Sequence, residues 1–352
     1  MPSKPRRQHP KNPARRAARG SRASTRAPVA WLLEADNPSV RYLALTDLLG
    51  RNEDDAEVVA TRRDIMTKGA VPRILAEQGK NGAWDKPDSF YTAKYRGTVW
   101  QLITLAQLLA DGTDPRIQQA CRFILESSQD PESGGFAMHR AVRTGGGRAS
   151  EVIPCLTGNL TWSLLRFGCS DHPAVARAVR WITTYQRFDD GAELPPRGWP
   201  YDRWEMCWGK HSCHMGVVKA LKALAEIPPQ QRSTDVRRTL ELGVEYILRH
   251  HVYKRSHDLT RTSKPGWLRF GFPLMYRTDA LEILLLLTQL GYRDPRMQPA
   301  MAVLAGKQGP DGRFSLDNPP NGRHLVSIET KGKPSKWITL RALTVMQRWG
   351  AS

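Results

Sequence analysis

The chain has 352 residues, enough for one large domain or two ordinary ones, and 40% apolar residues, enough to fill a real core. Five cysteines, an odd count without paired small-loop spacing, argue against a disulfide-stapled secreted scaffold, and the longest apolar run, 281–291, is too short to span a bilayer. The formal charge is +19, and residues 1–28 supply nearly half of it, with nine Lys and Arg and no acid.

That basic stretch lacks the apolar core of a secretory signal, so a cytoplasmic protein with free thiols or thiolate ligands is expected. It also has too little apolar surface to offset its ordering entropy, which predicts a disordered tail over 1–28 and a folded domain over 29–352. Two readings of the tail stand: a tether for nucleic acid or another polyanion, or a solvated extension.

From residue 29 onward two phrases alternate. Gln-x3-Gly-x-aromatic occurs at 78–84 and 308–314, with looser copies at 129–136 and 186–191. Between them stand 111–117, 168–175 and 291–297, each a Gly helix stop followed by an Asp cap and a Pro in the next first turn. The period is roughly fifty to sixty residues, longer than common helical repeats, and fits two helices plus a substantial loop. Helices are predicted over 37–50, 98–110, 157–167, 213–226, 278–290 and 337–348 in one set. The other set covers 55–77, 115–128, 173–186, 234–251 and 295–307. The first set is rich in Leu, Ile and Ala and sparse in charge, so it belongs inside; the second carries Arg on one face and belongs outside. Six inner helices ringed by outer ones describe an all-α fold, an α/α toroid. The run 249–259, with three histidines, reads as a basic helix C-terminus.

The Gln-Gly-aromatic repeats resemble those of the terpenoid cyclase and protein prenyltransferase α/α-toroids over about residues 37–349. The stretches "IPCLTGNLTWSLLRFG" and "CWGKHSCHMGVVKALKALAEIP" are similar to bacterial prenyltransferase/squalene-oxidase-repeat proteins. The resemblance implies an enzyme acting at the cavity mouth on a small apolar, isoprenoid-like or diphosphate-bearing ligand. The prenyltransferases' Asp-x-Cys pair and the cyclases' Asp-x-Asp-Asp are both absent, and "FDDG" (188–191) lies where turn residues are ordinary.

In such a barrel the inner helices run parallel, and their starts share one end. Cys155 and Cys213 then occupy equivalent places on neighbouring helices, with Cys207 in the loop between. His214 shares a helical face with Val218, Leu221 and Ala225, which points it inward and puts Lys219 and Lys222 on another side. Three thiols and an imidazole suit zinc, with the helix dipole favouring a thiolate at Cys213 and with His211 as an alternate ligand or pocket base. Buried free thiols with a hydrogen-bonded core histidine account for the same residues. Tyr95, Arg96, Tyr276, Arg277 and Lys336 precede or open inner helices and would ring the mouth, the cations meeting phosphate. Asp279 is a candidate catalytic carboxylate or a helix-start charge. Two other functions stand beside the enzyme: a basic binding protein for nucleic acid, and a carbohydrate-active barrel, which needs paired carboxylates in one cleft.

Overall fold

The computed structural model describes residues 27–351 apart from 192, 321 and 323, so the expected tail, except for 27 and 28, lies outside the described residues. The chain is mostly helical. The Leu-rich set comprises α1 (Pro38–Leu43, running on as a π-helical turn Ala44–Leu48), α4 (Thr98–Gln107), α6 (Pro154–Arg166), α8 (His214–Ala225), α10 (Ala280–Gln289) and α12 (Lys336–Gly350). The other set comprises α2 (Ala56–Thr67), α3 (Ala70–Ala76), α5 (Pro115–Ser128), α7 (Pro173–Tyr185), α9 (Thr234–Arg249) and α11 (Gln298–Gly306).

Helix starts follow local chemistry. Asp114 caps α5 through the amide of Arg116 at 2.9 Å, and Asp294 holds the amide of Arg296 at 2.8 Å ahead of α11. At α7 the cap is His172, whose Nδ1 accepts from Ala174 at 3.2 Å, in place of the neighbouring Asp171. The stretch expected as one helix over 55–77 breaks into α2 and α3, because Lys68 is extended and Gly69 sits at φ 76°.

The Gln-Gly-aromatic phrase acts as a three-point clasp. Gln78 Nε2 donates to Gly82 O and, across the fold, to Arg116 O at 2.9 Å in the first turn of α5. Gln129 does the same with Gly134 O and Ala174 O, at the start of α7. The phrase's glycines, Gly82, Gly134 and Gly312, all have φ of 79–84°, a turn closed to most other residues. The aromatics Trp84, Phe136 and Phe314 are buried, and their amides donate to Thr98, Thr157 and Thr339 of α4, α6 and α12 at 2.9–3.0 Å. The copies at 78–84 and 129–136 therefore tie a loop to one helix of each set, whereas among the described residues Gln308 reaches only Gly312 O and its copy is tied to α12 through Phe314. The 186–191 copy departs: among the described residues the Gln186 side chain bonds only to Arg187 O.

Burial divides the two sets. Every residue of α4 is buried, whereas α9 buries Val236, Leu240, Val244 and Ile247 along one stripe and exposes the other face. α2, α5, α7, α9 and α11 pack on α1, α4, α6, α8 and α10 respectively. Among the Leu-rich helices α4 touches α6, α6 touches α8, α8 touches α10, α10 touches α12, and α12 touches α1. Ser39 Oγ of α1 donates to Leu108 O, just past α4, at 2.6 Å. α6 and α8 lie closest, since a Cβ on Gly158 would stand 2.4 Å from the backbone of Lys219.

The 249–259 run differs from expectation. α9 ends at Arg249, and an antiparallel hairpin follows, β1 (Lys254–Arg255) and β2 (Asp258–Thr262). Among the described residues no helix is long and apolar enough to cross a membrane.

Candidate functional site

A cavity of about 320 Å³ lies among all six Leu-rich helices. Its wall is Leu43, Ala106, Leu109, Trp162, Leu285, Leu286, Trp337 and Leu340, and its polar groups include Gln107, Lys222, Glu282 and Arg341. Asp47, Arg166, Gln289 and Arg348, from the last turns of their helices, and Glu226, just past α8, also line it. Those outer side chains are the wet ones: Arg166 and Arg348 are each 33% exposed, against 7% for Glu282. The cavity thus opens where these helices end.

Charge at the floor is arranged around one carboxylate. Glu282 receives Lys219 Nζ at 2.6 and 2.7 Å and the Thr278 hydroxyl at 2.7 Å, with Lys222 Nζ at 3.3 Å. Burial alone would push the Glu282 carboxyl up, but the two ammonium groups and the hydroxyl outweigh it and hold it at about 2. Lys222 lies 3.7 Å from the centre of the Trp162 ring, a cation–π geometry. Burial, with Lys219 and Arg341 adding repulsion against the pull of Glu282, brings the Lys222 ammonium down to about 7.

Arg341 completes the floor. Its guanidinium lies over Phe272 at 4.8 Å and near Trp337 at 5.9 Å, and donates to Gln107 Oε1 at 3.2 Å. Gln107 is itself fixed, accepting from Leu274 N and donating to Leu274 O and Ile103 O. Burial lowers the pKa of Arg341. At the rim, charges pair off: Arg166 with Glu226 at 3.0 Å and Arg348 with Asp47 at 3.7 Å. All three carboxylates lining the cavity are thus held by cations, an arrangement that gives the carbohydrate reading no free pair.

None of Tyr95, Arg96, Tyr276, Arg277 and Lys336 lines this cavity. Tyr95 packs against Trp100 and His324, and Arg96 pairs with Asp85 at 2.7 Å. Tyr276 meets the Trp100 ring edge-on, Arg277 lies over Tyr276, and both border, with Tyr95, a crevice of only about 30 Å³. Lys336 is bound by Glu34 at 2.8 Å and by Asp36. These groups fill the end of the fold where the helices begin. Asp279 is the cap of α10, accepting from Glu282 N and Gly271 N at 2.8 Å each; burial raises its carboxyl to about 6 against those amides. His211, half exposed, stands 3.2 Å from Asp190, away from the cavity lining.

Cys207 and Cys213 are neighbours. Cys207 donates a thiol hydrogen bond to Cys213, and Cys155 lies close enough to Cys213 to feel its charge. The Cys207 bond, helped by the amides of Gly216 and Met215, lowers Cys213 to about 6 despite burial; burial pushes Cys155 up to about 12. His214 is buried, which drives its pKa well down, and packs edge-on against Trp267 at 4.2 Å and His250 at 4.8 Å. Neither of its ring nitrogens has a hydrogen-bond partner among the described residues. Among those residues no three His, Cys, Asp or Glu side chains stand so that they could hold a metal ion.

Sequence reasoning missed Lys219, Lys222, Glu282 and Arg341. Lys219 and Lys222, assigned to a face away from the interior, are respectively fully buried and a lining residue of the cavity. The signal was present: each is an isolated charge inside an otherwise apolar helix, as in "GVVKALKALA", "ALEILLLL" and "WITLRALTV". No model of a known family matches the chain, and no curated protein matches it.

Proposed function

We propose that the chain is an α/α toroid of the terpenoid cyclase and prenyltransferase class, and an enzyme that acts on an apolar or isoprenoid-like molecule in the central cavity. The observation that carries this reading is the cavity lining: each of the six Leu-rich helices contributes to one space, and their contacts run from each to the next. The cavity has the size of a small-molecule site and the usual composition of one, an apolar wall with a few convergent polar groups. Trp162 and Trp337 offer flat apolar surfaces, and Lys222, near neutral pKa and facing the space, is suited to move a proton at physiological pH. Glu282, itself fixed by Lys219, holds it in place.

Tryptophan fluorescence of the full chain titrated with geraniol tests the binding half of this proposal. Saturable binding is expected, and Leu285→Trp, which fills the cavity, should abolish it. Binding that survives the filled cavity, or no binding of any C10 isoprenoid, overturns it.

A further inference from the structure

The cavity lining is not electrically balanced. Four cations line it, Arg166, Lys222, Arg341 and Arg348, against three carboxylates, Asp47, Glu226 and Glu282. The rim pairs cancel, and Glu282 is shared between Lys222 and the fully buried Lys219. Arg341 is left over. Among the described residues it makes no ion pair, and its one hydrogen bond goes to a neutral amide oxygen. Two further carboxylates influence it electrostatically, but both are engaged at helix starts: Asp279 on the amides of Gly271 and Glu282, and Glu329 on the Trp337 amide and the Ser335 hydroxyl.

An enclosed cation with carboxylates near it but none in direct contact is still costly, and an anion that enters the space and bonds it lowers the cost. The guanidinium is a planar fork that matches a carboxylate in two parallel hydrogen bonds. Its ring stacking on Phe272 and Trp337 holds that fork in orientation at the cavity floor. Lys222 stands in the same lining, with one weak contact to Glu282 and its other side on the Trp162 ring. Beyond the cations the wall is mainly leucine and tryptophan, with Ala106 and Thr344, up to the rim.

We infer that the cavity takes a monoanionic amphiphile, a carboxylate with a short apolar body, bound head-down with its carboxylate on Arg341 and Lys222 and its body between Trp162 and Trp337. This rests on the reading of the cavity as the ligand site and adds the charge of the ligand and its orientation. The planar guanidinium fork is filled by one carboxylate in two parallel hydrogen bonds, with Lys222 as a further donor, a match that a diphosphate does not make.

The experiment is calorimetric titration of the full chain at pH 6.5 with three probes that share one tail: geranate, geraniol and geranyl diphosphate. Geranate is expected to bind at least about tenfold more tightly than either of the others. Arg341→Gln should weaken geranate by about 10- to 100-fold, the size of one charge-assisted hydrogen bond, and leave geraniol within about twofold. Geraniol binding also reports that the variant is folded. The groups around Lys222 are Glu282, Lys219, Arg341 and the Trp162 ring, and geranate stays ionised throughout pH 6–9. Geranate affinity should therefore fall over that range as Lys222 loses its proton, and Lys222→Gln should flatten the profile.

Geraniol or geranyl diphosphate binding as tightly as geranate, or an Arg341→Gln chain that holds geranate like wild type, overturns the inference. If geraniol still binds and Leu285→Trp blocks it, the cavity reading survives that failure. Absence of binding by all three probes overturns both.

Discussion

Lys336 and Arg341 lie on the same helix, five residues apart, and meet opposite fates. Lys336 at the helix start is bound by Glu34 and Asp36, two carboxylates brought from the first described residues of the chain. Arg341, facing the cavity, has a neutral amide and two aromatic rings. The same contrast runs through the other helices. Where they begin, Asp279 and Arg96 are each satisfied by a specific local partner. Inside the cavity, Lys222, Arg341 and Glu282 crowd together in a space with surplus positive charge. Residue type does not separate a structural end from a chemical one; the match between each group and its partners does.

The comparison breaks most severely at Glu282. Removing this carboxylate leaves Lys219 fully buried without a counter-charge, and loss of one partner of a buried pair costs about 3–5 kcal/mol. Glu282→Gln should lower the unfolding free energy by about that amount in urea titration. The double change Lys219→Met with Glu282→Met should recover most of it. A loss under about 1 kcal/mol for Glu282→Gln would mean that the pair is open to water.

Asp279 tests the other end. It caps α10 and holds the Gly271 amide, so Asp279→Ala should cost about 1–2 kcal/mol, and Asp279→Asn less, since an amide oxygen still caps. Neither change should alter geraniol affinity by more than about twofold. A change in affinity larger than the stability loss explains would return Asp279 to the site.

Two neighbouring charges on the cavity floor differ in their response to pH. Glu282 has a folded pKa of about 2, below its unfolded value, so its contribution is full above about pH 4.5 and is lost as pH falls toward 2. Lys222 has a folded pKa of about 7, below its unfolded value, so the unfolded chain binds the extra proton between about pH 7 and 10 and stability rises across that window. Lys222→Met should remove this rise, which thermal melts at pH 6.5, 8 and 9.5 would read. An unchanged slope would show that Lys222 is hydrated.

Much of the helical framework was legible because it rests on local rules. Asp-Pro starts, the alternation of apolar and Arg-bearing helices and the Gln-Gly-aromatic phrase each correspond to a bond that can be named, such as Gln78 to Arg116 O. The position of the cavity was not legible. It depends on which helix ends are filled, and the filling comes from loops around 268–278, 314–320 and 324–335, which carry no periodicity. The floor was half legible. A lone Lys or Glu inside an apolar helix announces a buried partner, but Lys219 and Glu282 lie 63 residues apart, and only the packing of α8 on α10 pairs them.

The smallest effect on stability, and the sharpest on chemistry, belongs to the thiols at the helix starts. Cys213 accepts a hydrogen bond from the Cys207 thiol and faces the first amides of α8, which brings it to about 6, whereas the same bond and burial push Cys207 up and burial leaves Cys155 at about 12. Alkylation proceeds through the thiolate, so reactivity follows the ionised fraction and access. Brief iodoacetamide treatment at pH 7 should therefore modify Cys213 ahead of Cys155 and Cys207 in peptide mass spectrometry, with a rate midpoint near pH 6. Cys207→Ala removes the donor and should move that midpoint upward, while the melting temperature shifts little. Equal labelling of all three thiols would deny the hydrogen-bonded pair. Protection of all three that a chelator relieves would mean instead that they close around a metal ion, and the helix starts would then rank with the cavity as a site of chemistry.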